Sequence, residues 1–167
     1  MSESIGHLKD AIISYLGRDG RFSGARIIGE FPDTEHPGAL CNPVIVVGLS
    51  RVDIIPGGFG DYYGENLGSG GGLYGKSANV TIYFDIYSPS DSGAQPGERL
   101  YETLCDALII APSPFGFTRM WLGAISGDRS SASNRIRVCA TLRGALTGLE
   151  TGLSLESIIV TKDLKKE

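Results

Sequence analysis

Histidine, methionine, tryptophan and cysteine are scarce in this 167-residue chain, which holds two, two, one and three of them respectively. His7 and His36 stand alone, and Cys41, Cys105 and Cys139 are far apart and odd in number. No pair has metal-ligand spacing, no Cys–His pairing points to a nucleophile, and no disulfide framework can be drawn. The thiols are therefore expected to be reduced and mostly buried. No metal site, cofactor site or catalytic residue is expected. Long apolar runs are missing too: without an 18-residue apolar span, no transmembrane helix and no membrane partner are expected. The N-terminus is charged and amphipathic, unlike a secretory signal. Positive charge is not in excess, since 15 Lys and Arg stand against 19 Asp and Glu, a net charge of −4. That balance argues against a dedicated nucleic-acid binder.

Glycine is abundant, and unevenly placed. Nine of the nineteen residues from 57 to 75 are glycine, with Phe59, Tyr62, Tyr63 and Tyr74 set among them. Gly70–Ser77 reads GGGLYGKS, a match by letter to the phosphate-binding pattern G-x-x-x-x-G-K-[ST]. That pattern binds nucleotide only where a buried strand feeds the loop and a helix leaves it, so that backbone N–H groups converge on the phosphates. Here no apolar run precedes Gly70. Ser77 leads instead into Ala78–Tyr87, where Val80, Ile82, Phe84 and Ile86 alternate with polar and aromatic residues in the period of a strand. Asp85 lies too close behind Ser77 for the crossover helix a parallel sheet needs. The topology tells against a nucleotide hydrolase.

The remaining segments fall into place by period. Ile5, Leu8, Ile12, Tyr15 and Leu16 predict an amphipathic helix over about residues 3–16, ended by Gly17 and Gly20. A short strand is expected at Ala25–Phe31, and an apolar one at Pro43–Pro56, where Gly48 marks a bulge or bend. Pro96 opens a second helix with Leu100, Tyr101, Leu104, Cys105 and Leu108 on one face, stopped by Pro112 and Pro114. Further strands are expected near Phe117–Ser126 and Arg135–Leu146, with an edge strand within Leu153–Val160 and a frayed tail from Lys162 to Glu167. The expected fold is α+β: a mainly antiparallel sheet with two helices packed on one face and a long Gly/Tyr-rich hairpin loop. One domain over residues 1–150 carries that loop at 57–77, and residues 151–167 form a C-terminal tail.

Two constellations invite a functional reading. Arg135, Arg137 and Arg143 share one parity of the last long strand. They form either a basic stripe for phosphate or an acidic partner, or a solvated face with cross-strand ion pairs, which half-exposed antiparallel strands favour. Asp85 is the expected partner of one of them. Phe59, Tyr62, Tyr63 and Tyr74 make the glycine-rich arm a contact surface, because aromatic rings offer large area with few rotamers to freeze. Trp121 is expected in core or interface packing.

With its pieces placed, the chain resembles the tail-terminator (tail-completion, head–tail joining) proteins of tailed bacteriophages and prophages. The helix Ile5–Leu16, the strand Pro43–Ile55, the strand Val80–Tyr87 passing through Ser88-Pro89 into the helix Pro96–Ile110, and the closing strands to Leu146 carry the resemblance. It implies a structural virion protein with no catalytic residues, made in the bacterial cytoplasm. Such a protein forms a homo-oligomeric ring, usually of six subunits, at the head-proximal end of the tail. Its partners would be copies of itself, the tail tube protein and the head–neck connector protein, with DNA passing through the ring without specific binding. Another head–tail connector or a minor tail component remains the neighbouring possibility.

Overall fold

The computed structural model describes residues 5–31, 40–57, 61–65, 71–89, 93–128, 133–149 and 157–159. The fold is α+β: helix α1 (Ile5–Arg18), strands β1 (Arg26–Ile28), β2 (Val44–Pro56), β3 (Tyr62–Glu65) and β4 (Gly72–Pro89), helix α2 (Gln95–Cys105), then β5 (Phe117–Asp128), β6 (Ser133–Leu149) and β7 (Ser157–Ile159). The sheet runs β1-β2-β4-β6-β5, with β3 added to β4 and β7 to β6. Among these strands only β1–β2 is a parallel pair; every other pairing is antiparallel.

The alternation read in the sequence decides which face is covered. Ile82, Phe84 and Ile86 of β4 lie opposite Ala140, Val138 and Ile136 of β6, and Ile45 and Val47 of β2 sit opposite Ile86 and Phe84. These residues, Leu8, Ile12 and Leu16 of α1, and Leu104, Ala107 and Leu108 at the end of α2 form one buried cluster. Both helices therefore cover the same side of the sheet. Each fully buried aliphatic or aromatic side chain contributes about 1.5–3 kcal/mol. Phe84 is the largest of them and packs edge-on against Phe117 at 6.5 Å.

Local chemistry explains the helix ends. α1 runs through Gly17 to Arg18, one residue beyond the first glycine. Asp19 then caps the next turn, accepting the Arg21 N–H at 3.0 Å. α2 closes in a wider π-type turn over Asp106–Ile110, where Ala111 donates to the Asp106 carbonyl at 2.8 Å. The Tyr15 hydroxyl donates to the Ala107 carbonyl at 3.3 Å, which ties the two helices together. Pro112 and Pro114 prevent further helix.

Two strands outrun the helical layer. β4 has 18 residues and β6 has 17; at ~3.3 Å per residue each is roughly 55–60 Å long. β2 flanks β4 as far as the pair Pro56–Lys76, and β3 then takes over the same edge, pairing with residues 72–74. β4 thus begins at Gly72, six residues before the expected start, because β3 and β6 supply partners on both of its edges there. The tip of the arm is a sheet of β3, β4, β6 and β7 rather than a bare loop.

Candidate functional site

Two regions gather the residues singled out by sequence, and they lie far apart. Tyr74 and Asp85 are eleven residues apart on one strand, a separation of roughly 36 Å.

At the arm, Tyr62 and Tyr74 are cross-strand partners whose rings meet edge to face at 5.4 Å. Both are about 40% exposed, at 42% and 41%, and on the adjoining end of β2 Ile55 is 41% and Ile54 58% exposed. Tyr63 points elsewhere: its hydroxyl shares a hydrogen bond of 2.6 Å with Ser77 Oγ. A Cβ on Gly57 would lie 2.4 Å from the Tyr63 ring and 2.6 Å from the Gly75 carbonyl oxygen, so only glycine fits that crossing. Asp61 holds the turn in a left-handed conformation, φ 63°. Its carboxylate accepts the Gly57 N–H at 2.9 Å and forms an ion pair with Lys76. The Lys76 hydrogen bond holds the Asp61 carboxyl below its ordinary pKa. Phe59 lies outside the described residues, as do His36 and the tail at 162–167.

The phosphate-loop letters find no cradle here. Gly72–Ser77 is extended strand, continuous to Pro89. The ammonium of Lys76 is engaged by Asp61, and the hydroxyl of Ser77 by Tyr63. A phosphate loop would instead need these groups at the mouth of a helix.

The second region is the sheet face opposite the helices. Asp85, 4% exposed, lies directly across from Arg137 and two pairs from Arg135, the next residue of β6 on the same face. Arg137 donates through Nε to Oδ1 and through a terminal nitrogen to Oδ2, both at 2.7 Å, and Arg135 donates to Oδ2 at 2.7 Å. One carboxylate therefore serves two arginines, where the sequence led us to expect one. The Asp85 hydrogen bond keeps the Arg137 guanidinium above its ordinary pKa. Tyrosines support both cations: Arg137 lies over Tyr83 at 4.7 Å and Arg135 over Tyr87 at 5.9 Å. The Tyr87 hydroxyl is pushed up in pKa by burial. The Nε of Arg135 is buried without an acceptor among the described residues. Arg143 is exposed and, among the described residues, reaches the Asn79 side chain alone, at 3.4 Å.

The same face brings together residues whose grouping sequence reasoning missed. Trp121 of β5 pairs with Cys139, and Cys139 with Tyr83, which in turn lies opposite Gly48, so four strands share one row. Trp121 is half-buried, outside the core cluster, and Arg119 stacks over it at 5.4 Å. Gly48 is needed for the Tyr83 ring, whose nearest atom would lie 2.2 Å from an added Cβ. The irregularity in β2 falls one step later, between Leu49 and Arg51. Arg51, also on this face, pairs with Asp53 at 2.8 Å. The period-two alternation already put Tyr83 and Tyr87 on this side; nothing in the sequence linked them to Arg119 or Trp121.

The cysteines depart from expectation. Cys41 is exposed, and Cys105 and Cys139 are half-buried, so none is a fully buried thiol. Burial raises the pKa of the Cys139 thiol. The Cys105 thiol points at the Met120 sulfur, 3.4 Å away. Among the described residues, no helix is long and apolar enough to cross a membrane, and no three His, Cys, Asp or Glu side chains converge as metal ligands would. A groove of about 650 Å³ runs beside α1, lined by Leu8, Tyr15, Arg18 and Phe115 among others.

The class that fold and site define is an α+β domain with a helix-covered antiparallel sheet and a projecting β-arm. No family model matches the chain, and no curated protein matches it.

Proposed function

We propose that this chain is a structural assembly protein of the tail-terminator kind, forming a ring that caps the tail tube and joins it to the head–neck connector. The observation that carries the reading is the arm. The outer end of β2 and strands β3, β4 and β6 extend beyond the helices and present Ile54, Ile55, Tyr62 and Tyr74 to solvent. Exposed apolar and aromatic side chains on a projecting, ordered element are what an intersubunit contact uses. A ring needs such heterologous contacts, in which one surface meets a different surface of the next copy.

Electron microscopy of the purified protein, alone and with tail tubes, tests this. Rings, expected with six subunits, seated at one end of the tube support it. Rings that ignore tube ends would move the protein to another connector role. A chain that stays monomeric and never binds tube ends would overturn the proposal.

A further inference from the structure

The open sheet face and α2 carry opposite charge. Among the described side chains, that face holds six arginines, at 26, 51, 119, 135, 137 and 143, against Asp53 and Asp85, although the chain as a whole is net negative. Asp53 already serves Arg51, and Asp85 serves both Arg135 and Arg137, while Arg119 and Arg143 are exposed with no carboxylate partner among the described residues. On the other side of the molecule, Glu98, Glu102 and Asp106 recur every four residues along α2, all exposed. That spacing puts them on one stripe, ~6 Å apart. Arg21, within electrostatic reach of Asp106, is committed to Asp19 through a bidentate pair.

Resting on the ring reading above, we infer that the open sheet face is the seat for α2 of a second copy of this chain. The arginines at 119, 135, 137 and 143 meet the acidic stripe of the neighbour. The match is electrostatic and geometric. Arg135 and Arg137, two apart on a strand, are ~6.6 Å apart, close to the rise between Glu98 and Glu102. The guanidiniums of Arg137, Arg135 and Arg119 already lie over Tyr83, Tyr87 and Trp121, so these three lose less side-chain freedom on docking. The contact is heterologous, sheet face to helix back, which is the type a closed ring or a filament requires. The face measures on the order of 500 Å², less than the ~800 Å² per partner of a standard interface. The arm supplies the remainder.

Charge reversal tests the pairing. Glu98→Lys with Glu102→Lys alters only exposed helix positions, and Arg119→Glu with Arg143→Glu leaves the Asp85 cluster intact. Thermal melts confirm that each variant folds. Sedimentation velocity then reads self-association. Each pair of reversals alone is expected to weaken it by about tenfold or more, because like charges now face each other. The chain carrying all four reversals is expected to associate at least about threefold more tightly than either parent, since the reversed positions again face opposite charge while Arg135, Arg137 and Asp106 keep theirs. A four-fold variant as weak as its parents would overturn the inference, as would rings that survive both separate reversals; in the latter case the ring reading stands. If the unaltered protein never associates, both fall. Duplex DNA retained by the unaltered chain and lost with Arg119→Glu and Arg143→Glu, without recovery in the four-fold variant, would assign the face to nucleic acid instead.

Discussion

Asp85 and Gly48 show how much of this face depends on single atoms. Asp85 is buried and accepts three charge-assisted hydrogen bonds from Arg135 and Arg137. Asp85→Asn keeps the shape, removes the charge and presents an N–H₂ to a guanidinium donor. Because both arginines retain partial access to water, the expected loss is about 1–3 kcal/mol, below that of a fully buried pair. Urea denaturation reads it. Gly48→Ala acts one row away by driving the Tyr83 ring off β2 and disturbing the Arg137 stack. Overpacking of this kind costs about 1–3 kcal/mol. Combined with Tyr83→Ala, the second change should cost much less than the sum, which a double-mutant cycle checks. The sequence revealed the parity of the arginines. The sharing of one carboxylate and the close approach at Gly48 arise from register across strands separated by tens of residues, which local pattern does not encode.

The elements were legible where period and punctuation agree. β6 and the body of β4 follow from alternating apolar residues, β2 from its continuous apolar run, and α2 from Pro96 and its apolar face. The arm was only half legible. Gly72-Leu73-Tyr74-Gly75-Lys76 has no β-branched residue, so its extended state comes from pairing with β3 and β6 rather than from propensity. That dependence makes the turn at Asp61 sensitive to pH. Lys76 depresses the Asp61 carboxyl below its ordinary value. A depressed folded-state pKa gives stabilisation that is complete above the unfolded value, about 3.9, and lost as pH falls through the folded one. Arm amides should therefore keep constant protection from neutral pH to about pH 5 and lose it below about pH 4. Hydrogen exchange corrected for intrinsic rates measures this, and Asp61→Asn should abolish the transition. The thiols also separate by element. Cys41, exposed outside the strands, should react with a thiol reagent well before Cys139, whose pKa is raised by burial within β6.

At the scale of the whole molecule, the helix-covered core and the arm divide the work of folding and of contact. The core cluster draws on α1, α2, β2, β4 and β6 and includes none of Ile54, Tyr62 or Tyr74. Pro56 and Lys76 are cross-strand partners, so residues 57–75 can be replaced by a two-residue Asn-Gly turn that matches the twist of the flanking strands. The shortened hairpin loses the Tyr62–Tyr74 pair and the outer edge of β6, both remote from Phe84 and the helices. Its melting temperature should fall by only a few degrees, since about 1 kcal/mol shifts a domain of this size by roughly 2–4 °C. Self-association should instead be lost, because the deletion removes the exposed aromatic surface while leaving the arginine face in place. Calorimetry and sedimentation on the same sample separate the two effects. A shortened chain that melts normally and still assembles would place the contact wholly on the sheet face and α2, and would remove the arm from the proposed assembly role.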